Sequence, residues 1–125
     1  MASGGKMDRL DCPCCKVNNC TPATVTSLAL LEKELGELRV TSGYRCKEHN
    51  ASLPNAAKNS KHVLGKAIDV LIPADVSDRD FIAAAHRAGF NGIGISVHRW
   101  AHCDRRGASG IWAYDSSGKV IPYTS

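Results

Sequence analysis

The residues of this 125-residue sequence best suited to chemistry are two histidines and an aspartate: His62, Asp69 and His102. His62 lies in a polar stretch, and Asp69 follows inside the apolar run Ala67-Ile68-Asp69-Val70-Leu71-Ile72. A carboxylate carried into a run that otherwise reads as a buried strand is out of character, because an unpaired buried charge is costly. His102 lies in a second short apolar segment, Trp100 to Cys103. Two imidazoles and one carboxylate make a common catalytic zinc set, with a fourth position left for water. Gly65, between His62 and Asp69, permits the bend that lets their side chains converge. Each residue also has an ordinary use, as a surface or hydrogen-bonded histidine or as a strand-edge or helix-capping carboxylate, and spacing alone leaves both open.

The elements that must hold these residues can be read along the chain. Residues 1–10 read as a flexible tail and residues 11–125 as one domain, the size at which single domains are common. Thr21-Pro22 starts a helix, with Thr21 as N-cap and Pro22 in its first turn. Val25, Leu28, Leu31 and Leu35 recur at helical spacing, and Gly36 ends the helix. Leu38 to Thr41 alternates like a short strand and leads into a turn at Ser42 to Arg45. From Lys47 to Lys66 there is little periodicity, and a loop is expected. The strand Ala67 to Ile72 is stopped by Pro73. Ser77-Asp78-Arg79-Asp80 caps a second helix that closes at Gly89. Gly92 to Val97 and Trp100 to Asp104 read as strands, and Ile111 to Tyr114 and Val120 to Tyr123 as a hairpin around Ser116-Ser117-Gly118. The fold class is α+β, with helices packed on a central, largely antiparallel sheet.

Three motifs in order carry a family resemblance. Ser60-Lys61-His62-Val63-Leu64-Gly65-Lys66-Ala67-Ile68-Asp69 matches S-x-H-x-x-G-x-A-x-D. Ser42-Gly43-Tyr44-Arg45 followed by His49-Asn50 matches S-G-Y-R-x-x-x-H-N. Gly92-Ile93-Gly94-Ile95 and Trp100-Ala101-His102-Cys103-Asp104 resemble a closing G-I-G-I … W-V-H-x-D. Over about residues 12–106 the sequence resembles the zinc D-Ala-D-Ala carboxypeptidases and peptidoglycan peptidases, in their small endolysin-like branch, whose fold is shared with the hedgehog signalling domain. The resemblance implies Zn2+ as cofactor, with His62, Asp69 and His102 as its ligands. It also implies that Ser60 bonds substrate near the scissile carbonyl, and that Arg45 stabilises negative charge on substrate or transition state. The implied activity is hydrolysis of a peptide bond in peptidoglycan by metal-activated water, with a non-catalytic zinc-stabilised module of the same fold as the alternative.

One position departs from the pattern. Many members carry an acid three residues before the last histidine ligand, where this sequence has Arg99, which cannot take a proton. His98 and Asp104 are the remaining candidates for the base. Asp104 lies two residues beyond His102 and so shares its face of a strand. It is suited either to take the proton or to orient a ligand imidazole.

Composition bounds the partners. With 43% hydrophobic and 22% charged residues the chain is not disordered, and its net charge of +4 would help it approach an anionic surface. Its aromatic residues are too scattered for a base-stacking platform, so no nucleic acid is expected, and no apolar stretch is long enough for a membrane. The expected partner is a peptidoglycan peptide and the expected state a monomer. The start of the sequence has no apolar signal segment, so a cytoplasmic protein that acts on the wall after release is expected. The six cysteines are Cys12, Cys14, Cys15, Cys20, Cys46 and Cys103. The C-x-C-C spacing of Cys12, Cys14 and Cys15 does not match a paired zinc ribbon. A buried thiol is the expected state of Cys103, with a disulfide to Cys46 as the other option.

Overall fold

A computed structural model of the chain describes residues 10–12, 20–45, 47–52 and 61–124. Helix α1 spans Pro22–Leu35, strand β1 Val40–Ser42, helix α2 Lys47–Ser52, strand β2 Ala67–Leu71 and helix α3 Asp78–Ala88. Strands β3 (Gly92–Ser96), β4 (Trp100–Asp104), β5 (Gly110–Tyr114) and β6 (Val120–Pro122) follow. They form one sheet in the order β1-β2-β4-β3-β5-β6. Every pair is antiparallel except β3 with β5. The α+β class read from the sequence is therefore the observed one. No helix among the described residues is long and apolar enough to cross a membrane.

Local chemistry accounts for both long helices. Thr21 caps α1 by accepting from the Thr24 amide at 3.2 Å, and Ser77 caps α3 by accepting from the Asp80 amide at 3.1 Å. Gly89 closes α3 in the left-handed region, at φ 107°. The two helices cover one face of the sheet. Leu28 and Leu31 of α1 and Phe81, Ala84 and Ala85 of α3 bury themselves against Ile68, Val70, Ile93, Ile95, Ala101 and Cys103 of the strands. Because side chains alternate along a strand, the intervening residues, Asp69, His102 and Asp104 with Gly92 and Gly94, take the other face. The helices thus fix the sheet from behind and leave that face for chemistry.

Two segments differ from the sequence reading. The stretch expected to be a loop begins with α2, a helix too short for a periodic pattern to show. Leu10, placed at the end of the tail, is buried: its carbonyl accepts from the Tyr44 amide at 2.9 Å. A side chain on Gly43 would lie 2.6 Å from the Leu10 Cα, so this close approach needs glycine. Residues 1–9 lie outside the described residues.

Candidate metal centre

The sheet register brings the three residues together. Asp69 on β2 is directly opposite His102 on β4. His62 enters from a turn over residues 61–65, closed by the Gly65 amide on the His62 carbonyl at 3.1 Å, with Gly65 at φ 71°. One ligand atom from each of His62, Asp69 and His102 lies within 4.8 Å of the others. The two rings meet edge to face, with centroids 5.2 Å apart. His62 is almost wholly buried, and Asp69 and His102 keep a small exposed fraction. The centre is closed from behind and open on one side.

The outer nitrogens of both rings are already committed. Nδ1 of His62 donates to the Gly43 carbonyl at 2.7 Å, which leaves Nε2 facing Asp69 Oδ1 at 3.2 Å. Nε2 of His102 donates to Asp104 Oδ2 at 2.7 Å, which leaves Nδ1 facing the same Asp69 oxygen at 3.1 Å. A carbonyl and a carboxylate accept only, so the outer nitrogens carry the protons. Two inward nitrogens around one carboxylate oxygen then require positive charge among them, from further ring protons or from a cation. A set of two imidazole nitrogens and one carboxylate oxygen suits zinc, and the outer bonds are those that orient zinc-binding histidines.

Electrostatics in the metal-free chain agree. Burial disfavours the charged carboxylate of Asp69, but bonds from His102 and His62 outweigh it and hold the group well below the usual range. Burial likewise opposes charge on His102, yet its bonds to Asp104 and Asp69 raise it to about 8. For Asp104 the bonds from Arg106 and His102 overcome burial and lower it to about 2.

The neighbouring motif residues are joined to this trio. Arg45 donates from Nη2 to Asp69 Oδ2 at 3.3 Å, from Nε to Ser42 Oγ at 3.1 Å, and from Nη1 to Asn50 Oδ1 at 3.2 Å. Asn50 is buried at the end of α2 nearer β2 in sequence, so the short helix holds the arginine that faces the centre. His98 is exposed in the turn between β3 and β4, with Nε2 3.2 Å from the Ser116 carbonyl; the fold does not bring its ring into the ligand cluster. Ser60 lies outside the described residues, as do Cys14, Cys15 and Cys46. Cys103 follows His102 in sequence but faces away from it into the core, as a free thiol raised well above its ordinary value by burial. It is neither exposed nor ionised enough to act as a nucleophile.

Arg99 has a different task from an acid at the same place. It sits at φ 66°, donates to the carbonyls of Pro73 and Val76 at 2.9 and 2.5 Å, and pairs with Asp78 at 2.6 Å. It ties the β3–β4 turn to the start of α3. Arg99→Ala keeps the same left-handed backbone cost and removes only these bonds. The expected result is a thermal midpoint lower by roughly 3–8 °C, with zinc content unchanged by elemental analysis.

Sequence reasoning left several contributors without a role: Ser42, the Gly43 carbonyl, Asn50, Arg106 and Trp112. Arg106 donates to both oxygens of Asp104 and lies with its guanidinium carbon 4.4 Å over the Trp112 ring, which is itself 5.7 Å from His102. Its signal was the Asp104-x-Arg106 spacing, which puts both on one face at the end of a strand.

No curated protein matches the sequence. A family model described as Peptidase M15 matches residues 8–104, a span that contains the three candidate ligands, Arg45 and Asp104. With most of its length matched, and with its histidines and aspartate convergent on one open sheet face, the chain belongs to the peptidase M15 family, a family of metallopeptidases.

Proposed function

We propose that this chain is a zinc-dependent peptidase that hydrolyses a peptide bond in the stem peptides or cross-links of bacterial peptidoglycan, in the manner of a phage endolysin. The bond is a D-Ala-containing one or an L-Ala-D-Glu one, cut by a carboxypeptidase or an endopeptidase. The observation that carries the reading is the His62–Asp69–His102 cluster, with each ring oriented from outside, on the open face of an M15 chain. Zinc bound there supplies a Lewis acid for the scissile carbonyl and an acidified water as nucleophile at neutral pH.

The protein's own residues do the rest. Arg45 stands against Asp69 with its charge fixed by Ser42 and Asn50, suited to hold the negative charge that develops on the attacked carbonyl. Ser60 is proposed to bond the substrate beside that carbonyl. A groove of about 260 Å³ runs from Asp69 past Thr41, Leu71 and Trp100 and gives room for a substrate residue next to the cut bond. The protein is proposed to work as a monomer on the wall after release from the cell, without a nucleic-acid or membrane partner.

His98 and Asp104 are the two candidates for the base, with the supporting role beside His102 favoured for Asp104. Asp104 has both oxygens engaged, so Asp104→Asn is expected to shed zinc along with activity. His98→Ala is expected to keep its zinc. A lower rate in that variant at full zinc occupancy assigns the proton to His98; an unchanged rate removes His98 from the mechanism.

The same engagement of Asp104, together with Arg99 in the acid position, favours the second reading, a zinc-stabilised binding or structural module without turnover. Digestion of defined muropeptides by the zinc-loaded protein, followed by mass spectrometry, separates the two. The peptidase reading expects one new amine per bond cut and identifies the bond. Stoichiometric zinc with no new amine leaves the module.

A further inference from the structure

We propose that Arg106 is a positioning residue for the metal centre, acting on His102 through Asp104. This rests on the reading of His62, Asp69 and His102 as metal ligands.

The Asp104 side chain is fully buried. Its Oδ1 accepts from Arg106 Nε at 2.9 Å, and its Oδ2 accepts from Arg106 Nη2 at 2.7 Å and from His102 Nε2 at 2.7 Å. A carboxylate held only by one imidazole would be free to turn about its own axis. The two-pronged guanidinium contact fixes the carboxylate plane, because both oxygens are engaged by one rigid fork. That plane sets the direction from which Oδ2 accepts, and so the rotation of the His102 ring. The ring rotation in turn sets where Nδ1 points, which is toward Asp69 Oδ1.

The fork faces solvent on one side and is covered on the other. The Trp112 ring lies under the guanidinium, a contact of the cation–π type. On β3, Gly92 leaves the space in which Asp104 and Arg106 meet: a Cβ there would fall 2.1 Å from Asp104 Oδ1 and 2.4 Å from Arg106 Nε. Ring, fork and glycine form one assembly behind His102, with no member in the ligand set.

Lysine keeps the charge beside Asp104 but offers a single point of contact, and glutamine offers neither charge nor fork. Competition with a chromophoric chelator is expected to show zinc affinity reduced about tenfold in Arg106→Lys and about 100-fold in Arg106→Gln, the range for outer partners of metal ligands. The visible absorption of the cobalt-loaded variants is expected to shift in the same order, because the ligand field reports the orientation of His102. A lower thermal midpoint in the metal-free variants, with wild-type zinc affinity and cobalt spectrum, makes Arg106 structural only and overturns the proposal. If the glutamine variant does not fold, the lysine variant decides alone. A wild-type chain that binds neither zinc nor cobalt overturns the ligand reading, and this inference with it. Metal bound equally well by wild type and both variants overturns this inference alone.

Discussion

Asp69→Asn is expected to bind no stoichiometric zinc and to release no amine from peptidoglycan above background. Asp69 is the vertex of the centre: its Oδ1 faces a ring nitrogen of both His62 and His102, and its Oδ2 accepts from Arg45. Its place is set by the β2–β4 register, where it stands opposite His102. Asparagine is nearly isosteric, so the neighbours Ile68 and Val70 stay in the core and the strand keeps its pairing. What is lost is the charge and one anionic oxygen. The amide also presents N–H groups to whichever neighbour its nitrogen faces. Loss of an outer partner alone costs about 10–100-fold in metal affinity, so loss of a ligand costs more. Elemental analysis of the purified variant, beside a far-UV circular dichroism spectrum matching wild type, checks the expectation. Full zinc content in a folded Asp69→Asn variant refutes the assignment of the centre.

The same geometry gives the wild-type protein a pH dependence of known sign. In the metal-free chain His102 is raised to about 8, burial being outweighed by its bonds to Asp104 and Asp69. Below that pH the ring holds a proton that a cation must displace. Zinc affinity is therefore expected to rise with pH and to level off above about 8, with a slope approaching tenfold per unit for one displaced proton.

What was legible in the sequence was mostly local. Thr21, Pro22 and Gly36 bound α1, and Ser77 and Gly89 bound α3, through contacts within a few residues, so residue type suffices there. Asp69 stood out because a charge interrupts an apolar run. The convergence of His62 on it was legible because Gly65 lies between. The side on which Cys103 points was also available: it alternates with His102 and Asp104, so it must face the core if they face the centre. The rest depends on pairings between distant strands. The parallel β3–β5 pair, which lays Trp112 beside Gly94, has no local signature. Nor does the use of Arg99 to tie the β3–β4 turn to the start of α3, since its partners are the carbonyls of residues 73 and 76 and the carboxylate of Asp78. Helix α2 was missed because six residues cannot display a helical period, although its Asn50 holds Arg45.

Gly92→Ala is expected to lose both metal and much of its stability, although alanine is the smallest possible addition. The segment Gly92-Ile93-Gly94-Ile95 alternates: both isoleucines enter the core, and both glycines face the centre. Gly92 does not have a positive φ, so its backbone would accept alanine without strain. The cost comes from what lies opposite. A methyl group 2.1 Å from Asp104 Oδ1 and 2.4 Å from Arg106 Nε leaves no position for both groups of the pair: the exposed Arg106 can swing outward, but the fully buried Asp104 has nowhere to go without losing a bond. Asp104 must move, which breaks its fork with Arg106 or its bond with His102 inside the protein. Leaving the buried Asp104 carboxylate short of a partner costs about 1–3 kcal/mol, and more because the group is charged. Gly107→Ala is the control: Gly107 has φ 89°, with nothing within 4 Å of the added Cβ. It should cost only the left-handed penalty of about 1–2 kcal/mol and keep full zinc content. If Gly92→Ala melts no lower than Gly107→Ala and retains its zinc, the space at Gly92 is not what holds Asp104 against His102. If it melts well below and sheds zinc, this glycine serves the centre by absence, as the void into which the carboxylate and guanidinium fit.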